Sequence, residues 1–76
     1  MNAVERATKM MHTPMKDLPP LAVKFARHLC SKHGMCGEVF ITAYAIYAQH
    51  VEGLPCDDDL YKASPQDVEW FEQEKI

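Results

Sequence analysis

The sequence predicts an all-α protein: a small bundle of three main helices plus a short or frayed N-terminal helix. Its 76 residues are 47% apolar and 25% charged, the balance of an ordinary globular domain. Proline and glycine divide the chain into four segments, and each segment fits an apolar period of 3.6 better than a period of 2. We therefore expect residues 1–16 to form an N-terminal arm or weak helix and residues 17–76 to form a single helical domain.

The first two predicted helices are amphipathic. The first spans residues 2–11, and its apolar stripe is weak enough for a frayed arm. The second has Asp17 as candidate N-cap ahead of two prolines and runs to His33, with Gly34 placed to cap its end. One side of this helix is basic, and this predicted partner-binding surface is called the basic face: Lys24, Arg27, His28 and Lys32.

The third predicted helix, residues 37–52, is apolar on every side. Val39–Ala48 contains no charged residue, and its polar side-chain groups are the hydroxyls of Thr42, Tyr44 and Tyr47. A helix of this kind needs neighbours on every side, and a chain of this length has few to offer. We therefore expect a second copy of the chain or another protein to cover part of it.

The fourth predicted helix has the strongest start signal in the chain. Ser64 is the expected N-cap, Pro65 takes the first helical position, and Asp67 follows three residues after the cap in a variant of the capping box. Beyond this start lies a second predicted partner-binding surface, the acidic/aromatic face: Glu69, Trp70 and Glu72.

Charge is distributed unevenly along the chain. Residues 1–36 carry six Lys or Arg and two acids, a net +4, whereas residues 37–76 carry two Lys and nine acids, a net −7. This asymmetry indicates either a charged binding surface or attraction between the two halves inside the fold. The sequence leaves both interpretations open.

The cysteine count and the apolar runs predict a cytoplasmic protein. Three cysteines cannot all pair within one chain, and a disulfide scaffold of this size normally has an even number, so reduced thiols are expected. The first 15 residues contain no unbroken apolar run of the signal-peptide type. The central apolar run is about half of the roughly 20 residues that cross a bilayer, so we expect no membrane span.

One group of residues has the types that bind zinc: Cys30, His33, Cys36 and Cys56. Structural zinc sites usually have two to four residues between two cysteines, whereas the closest pair here has five residues between them. Buried cysteines and a surface histidine at a helix end explain the same residues, so no metal or other cofactor is predicted. A small zinc-stabilised domain remains the second alternative.

No pattern in the chain indicates catalysis. A Ser/His/Asp arrangement, a glycine-rich phosphate loop and a pair of carboxylates in an apolar pocket are all missing, and the three aspartates after Cys56 oppose thiolate formation. The chain is therefore predicted not to be an enzyme.

Two further functions remain besides the zinc-stabilised domain. The leading hypothesis is a small non-catalytic accessory or regulatory protein that binds another protein, as adaptor or inhibitor, or pairs with itself as a homodimer. The alternative is a nucleic-acid-associated regulator of helix-turn-helix type that uses the basic second helix. Its recognition helix would be residues 38–46, which contain no Arg, Lys, Asn or Gln to read base edges. Nucleic acid is therefore the less favoured partner.

Overall fold

The computed structural model describes residues 1–34 and 37–74, and it confirms the all-α fold. Within these ranges there is no strand. The helices are α1 (Ala3–Met11), α2 (Pro20–His33), α3 (Gly37–His50) and α4 (Pro65–Glu74). Two single 3-10 turns, Met15–Asp17 and Asp59–Tyr61, precede α2 and α4 respectively. The architecture is thus three main helices plus a short N-terminal one.

Helix α3 lies at the centre of the fold. Both α1 and α2 pack along it, and the segment with the second 3-10 turn also contacts it. All six residues from Ala43 to Ala48 are buried within the single chain. Helices α1 and α2 and the loop before α4 cover this part of α3, so its burial needs no second copy or partner.

Helix α1 is a short docked helix and not a frayed arm. Its start is closed by a capping box, in which the Asn2 side chain accepts a hydrogen bond from the Glu5 amide (2.8 Å) and the Glu5 side chain accepts one from the Asn2 amide (3.2 Å). Ala3, Ala7 and Met10 are fully buried along its inner side. Small side chains let two helices approach closely, so a stripe that is weak in hydrophobicity still packs well.

Helix α2 begins at Pro20, two residues after the start that an N-cap at Asp17 predicts. Asp17 lies in the first 3-10 turn, and Pro19 occupies the cap position without a side-chain hydrogen bond. A residue that precedes proline is driven into extended backbone, which holds Leu18 and Pro19 out of the helix. At the other end the prediction is confirmed: Gly34 caps α2 with a φ of 70° and donates to the Cys30 carbonyl at 2.8 Å.

Helix α4 begins as the sequence predicts and is anchored by one aromatic side chain. The Asp67 amide donates to Ser64 Oγ at 3.2 Å, and that hydroxyl donates to the Asp67 carboxylate at 2.9 Å. Phe71 is fully buried, with its ring centroid 4.5 Å from that of Phe25 on α2 and 6.2 Å from that of Tyr47 on α3. Phe71 therefore joins α4 to both larger helices.

Two buried tyrosines on α3 give the fold a predicted alkaline limit. Burial raises the pKa of Tyr44 and of Tyr47, and the nearby Glu52 carboxylate raises that of Tyr47 further. Tyrosines of the unfolded chain ionise near pH 10, below the pKa values of Tyr44 and Tyr47 in the folded chain. The stability that the two neutral phenol groups contribute is therefore complete below about pH 10. It is lost as the pH rises through their folded-state pKa values.

We therefore expect the melting temperature to fall above about pH 10, and to fall less in Tyr44→Phe and Tyr47→Phe. Thermal unfolding followed by circular dichroism from about pH 8 to pH 11 checks this. An equal alkaline loss in the wild type and both variants would contradict it.

Candidate functional site

Helix α4 contacts part of the basic face predicted on α2. Lys24 Nζ lies 2.6 Å from Glu74 Oε2, and the His28 and Trp70 ring centroids are 5.2 Å apart. Two of the four predicted basic-face residues are thus paired with the acidic helix of the same chain. This contact is a case of attraction between the two oppositely charged halves.

Of the three residues of the acidic/aromatic face, one packs against α2 and two are exposed. Trp70 is half-buried, with its ring 5.0 Å from that of Phe25 and perpendicular to that of Phe71. Its ring therefore contributes to packing between α4 and α2. Glu69 and Glu72 remain on the exposed side of the helix.

A second internal ion pair joins α1 to the end of α3. Arg6 Nε and Nη2 donate to the two carboxylate oxygens of Glu52 at 2.9 and 3.2 Å, a bidentate arrangement. The hydrogen-bonded carboxylate raises the pKa of Arg6 further above its already high value. Both side chains are partly exposed, so the pair contributes at most about 1 kcal/mol.

The proposed zinc ligands do not form a set in the described part of the chain. Cys30 takes part in a disulfide, which differs from the expectation of reduced thiols and removes its sulfur as a metal ligand. Cys56 is a free thiol that donates to the Asp58 carbonyl at 3.4 Å. Cys36 and the side chain of His33 lie outside the described residues. Elsewhere in ranges 1–34 and 37–74, no three His, Cys, Asp or Glu side chains are grouped to hold an ion.

A surface groove of about 500 Å³ follows the first half of α2, and it is called the basic groove: Met15, Lys16, Leu18, Pro20, Val23, Lys24 and Arg27. The four lining residues that belong to α2 are spaced at i, i+3, i+4 and i+7, which places them on one side of the helix. The first 3-10 turn and Leu18 supply the opposite wall. The two basic residues on α2 are predictable from their helical spacing, but the groove is not, because its second wall depends on how the chain turns before Pro19.

A second concave surface of about 510 Å³ lies between the end of α2, the start of α3 and the start of α4. It is called the Leu60 cleft. Apolar side chains from three segments line it: Leu29, Val39, Ile46 and Leu60. Lys32, the remaining residue of the predicted basic face, also lines this cleft and not the basic groove.

Leu60 is the most exposed large apolar side chain in the described residues, at 80%. Hydrogen bonds fix the loop that carries it: its amide donates to the Asp58 side chain at 3.0 Å. The Gln49 amide group accepts from the Ala63 amide at 3.2 Å and donates to the Tyr61 carbonyl. Leu60 therefore stands in water on an ordered loop, with no further ordering of that loop needed to present it.

Comparison of the chain with protein-family models, with curated proteins and with solved structures finds no match. None of the helices in the described ranges has both the length and the apolar character needed to cross a bilayer.

Proposed function

We propose that the protein is a small non-catalytic accessory protein that acts by binding another protein, as an adaptor or an inhibitor. The observation that supports this most directly is Leu60, an apolar side chain 80% exposed at the mouth of a cleft with an apolar floor. Large apolar side chains that reach into a partner's pocket supply much of the binding energy of protein interfaces. Leu60 and the Leu60 cleft thus offer both a projecting anchor and a recess.

The polar lining of the Leu60 cleft favours binding over catalysis. Ser64 and Asp67 are the two side chains there that resemble parts of a hydrolytic site. Both are used in the cap of α4, where each hydrogen-bonds to the other. Among the described residues that line the cleft, no histidine lies beside this hydroxyl to act as its base.

Mixed charge at the cleft favours a protein over a nucleic acid. Lys32 and Lys62 share its lining with Glu38 and Asp67. A phosphate backbone gains affinity from basic groups that are not accompanied by acids, and the chain carries a net charge of −3. A cytoplasmic location and a homodimeric state remain predictions from the sequence.

Affinity capture with matched variants tests this function. The bait is the whole chain, the extract comes from cells that make the protein naturally, and the sample is treated with nuclease and washed at high salt. We expect Leu60→Ser to reduce the retained partner by about tenfold or more, the effect of losing an interface anchor worth about 1.4 kcal/mol or more. Met11→Ser is the control, because Met11 is also exposed (42%) but lies at the end of α1, outside the Leu60 cleft.

Both variants should keep the wild-type melting temperature, since neither side chain is buried. Equal retention by the wild type and Leu60→Ser would contradict a role for this anchor. Loss of all bound protein on nuclease treatment would favour the nucleic-acid alternative.

A further inference from the structure

The basic groove has an apolar floor of the length that a short helix covers. Leu18 is buried, Val23 is half-buried and Met15 is 47% exposed, so the groove leaves apolar surface in water. From Pro20 to Arg27 the wall formed by α2 spans about 10 Å, at 1.5 Å per residue. A partner helix that inserts side chains at i, i+3 or i+4, and i+7 presents an apolar stripe of the same length.

The edges of the groove specify the charge of its occupant. Lys16, Lys24 and Arg27 stand at these edges, and none of the described residues that line the groove is acidic. Among the described residues, neither Lys16 nor Arg27 has a carboxylate within ion-pair distance, whereas Lys24 is paired with Glu74. A segment with carboxylates flanking an apolar stripe would complement both the floor and the edges.

We propose that the basic groove binds an acidic amphipathic helix of a partner protein, and that Glu74 competes intramolecularly for Lys24. This deepens the proposed function, on which it rests, by stating the chemistry of one partner segment. A polyanion such as nucleic acid matches the edges but has no apolar stripe to cover Met15 and Val23. The floor therefore selects a protein segment over a phosphate backbone.

Synthetic peptides test the proposal without knowledge of the natural partner. The probe is a fluorescent peptide of about 15 residues, a length at which a helix becomes possible in water. It has leucines at i, i+3, i+4 and i+7 and glutamates elsewhere. One control peptide replaces every glutamate by lysine, and a second keeps the composition but scrambles the leucine positions. Fluorescence anisotropy measures the affinity of each peptide for the full chain.

We expect the acidic amphipathic peptide to bind and both control peptides to bind at least about tenfold more weakly. Arg27→Glu should weaken binding of the acidic peptide about tenfold, and Glu74→Gln should strengthen it about twofold to fivefold by releasing Lys24. Lys9→Glu is the matched control, because it makes the same change of charge on α1, outside the groove.

Several outcomes would overturn the proposal. If the scrambled peptide binds as tightly as the acidic amphipathic peptide, the apolar floor has no role in binding. If Lys9→Glu weakens binding as much as Arg27→Glu does, the effect is one of overall charge and not of the groove. If Glu74→Gln leaves the affinity for the acidic peptide unchanged, the competition at Lys24 is excluded.

Two outcomes would assign another occupant to the groove. If sedimentation shows a dimer that Arg27→Glu dissociates, the occupant is a second copy of the chain. If a single-stranded oligonucleotide binds more tightly than the acidic peptide, the occupant is nucleic acid.

The two proposals fail in distinguishable ways. If the acidic peptide does not bind but capture of a nuclease-resistant partner still depends on Leu60, only the inference about the groove is wrong. If the peptide binds as expected and capture does not depend on Leu60, the groove stands and the Leu60 anchor is wrong. Circular dichroism of Arg27→Glu and Glu74→Gln confirms that each variant is folded before its affinity is interpreted.

Discussion

Phe71→Ala is expected to lower the free energy of unfolding by about 3–5 kcal/mol, the usual cost of removing a buried aromatic side chain. Phe71 is the one buried residue that α4 contributes, and its ring contacts the rings of Phe25, Tyr47, His50 and Trp70. At roughly 0.05–0.15 kcal/mol per residue, a chain of this size has about 4–11 kcal/mol to lose. The expected loss is therefore a large fraction of the total stability, and at the lower end of that range the variant would unfold without urea.

Urea denaturation followed by far-ultraviolet circular dichroism measures this loss. Glu72→Ala is the matched control, because Glu72 is the next residue of α4 and is exposed. Its free energy of unfolding should stay within about 0.5 kcal/mol of the wild type. A loss below about 1 kcal/mol in Phe71→Ala would show that α4 is not held by this side chain.

Ala7→Asp is expected to lower the free energy of unfolding by about 3 kcal/mol, because it places a carboxylate where the side chain has no access to water. Ala7 is fully buried at the middle of α1, which packs along α3. The carboxylate must either be buried without a partner or force α1 away from α3. A frayed N-terminal arm would tolerate the same substitution.

Thr8→Asp provides the comparison for Ala7→Asp. Thr8 follows directly in α1 and is exposed, so the new carboxylate would remain in water. We expect Thr8→Asp to lower the free energy of unfolding by less than about 1 kcal/mol, mostly through helix propensity. Equal losses in the two variants, measured by urea denaturation, would contradict the docking of α1 against α3.

Local signals explain which helix boundaries were predictable. The Ser64, Pro65 and Asp67 pattern and the position of Gly34 act within one turn of the chain, and the structure has both caps as predicted. Asp17 failed as an N-cap because the two prolines that follow Leu18 impose extended backbone before the helix can start. Two local preferences competed there, and the steric restriction of proline outweighed the preference for an aspartate cap.

Contacts between distant parts of the chain were not predictable in the same way. The pairs Arg6 with Glu52 and Lys24 with Glu74 join residues 46 and 50 positions apart. The sequence showed two oppositely charged halves but not which charges meet. The coverage of α3 depended likewise on α1, whose alanines carry little hydrophobic signal and act through close packing.

The candidate surfaces were likewise predictable only in part. The basic stripe of α2 was visible from its helical spacing, but the fold distributes its residues among contacts with α4, the basic groove and the Leu60 cleft. Leu60 had no distinguishing feature in the sequence. Its exposure follows from a loop held by the Gln49 side chain, which reaches across to Tyr61 and Ala63.

Site-specific photo-crosslinking in a native extract tests whether the chain binds another protein through these surfaces. A photoreactive side chain replaces Leu60 in one bait, Val23 in a second and the exposed Thr8 in a third. We predict a discrete covalent protein adduct from Leu60 or Val23 that survives nuclease treatment and is missing from Thr8. The same weak, heterogeneous adducts from all three positions would contradict the claim that this chain acts by binding a protein at these surfaces.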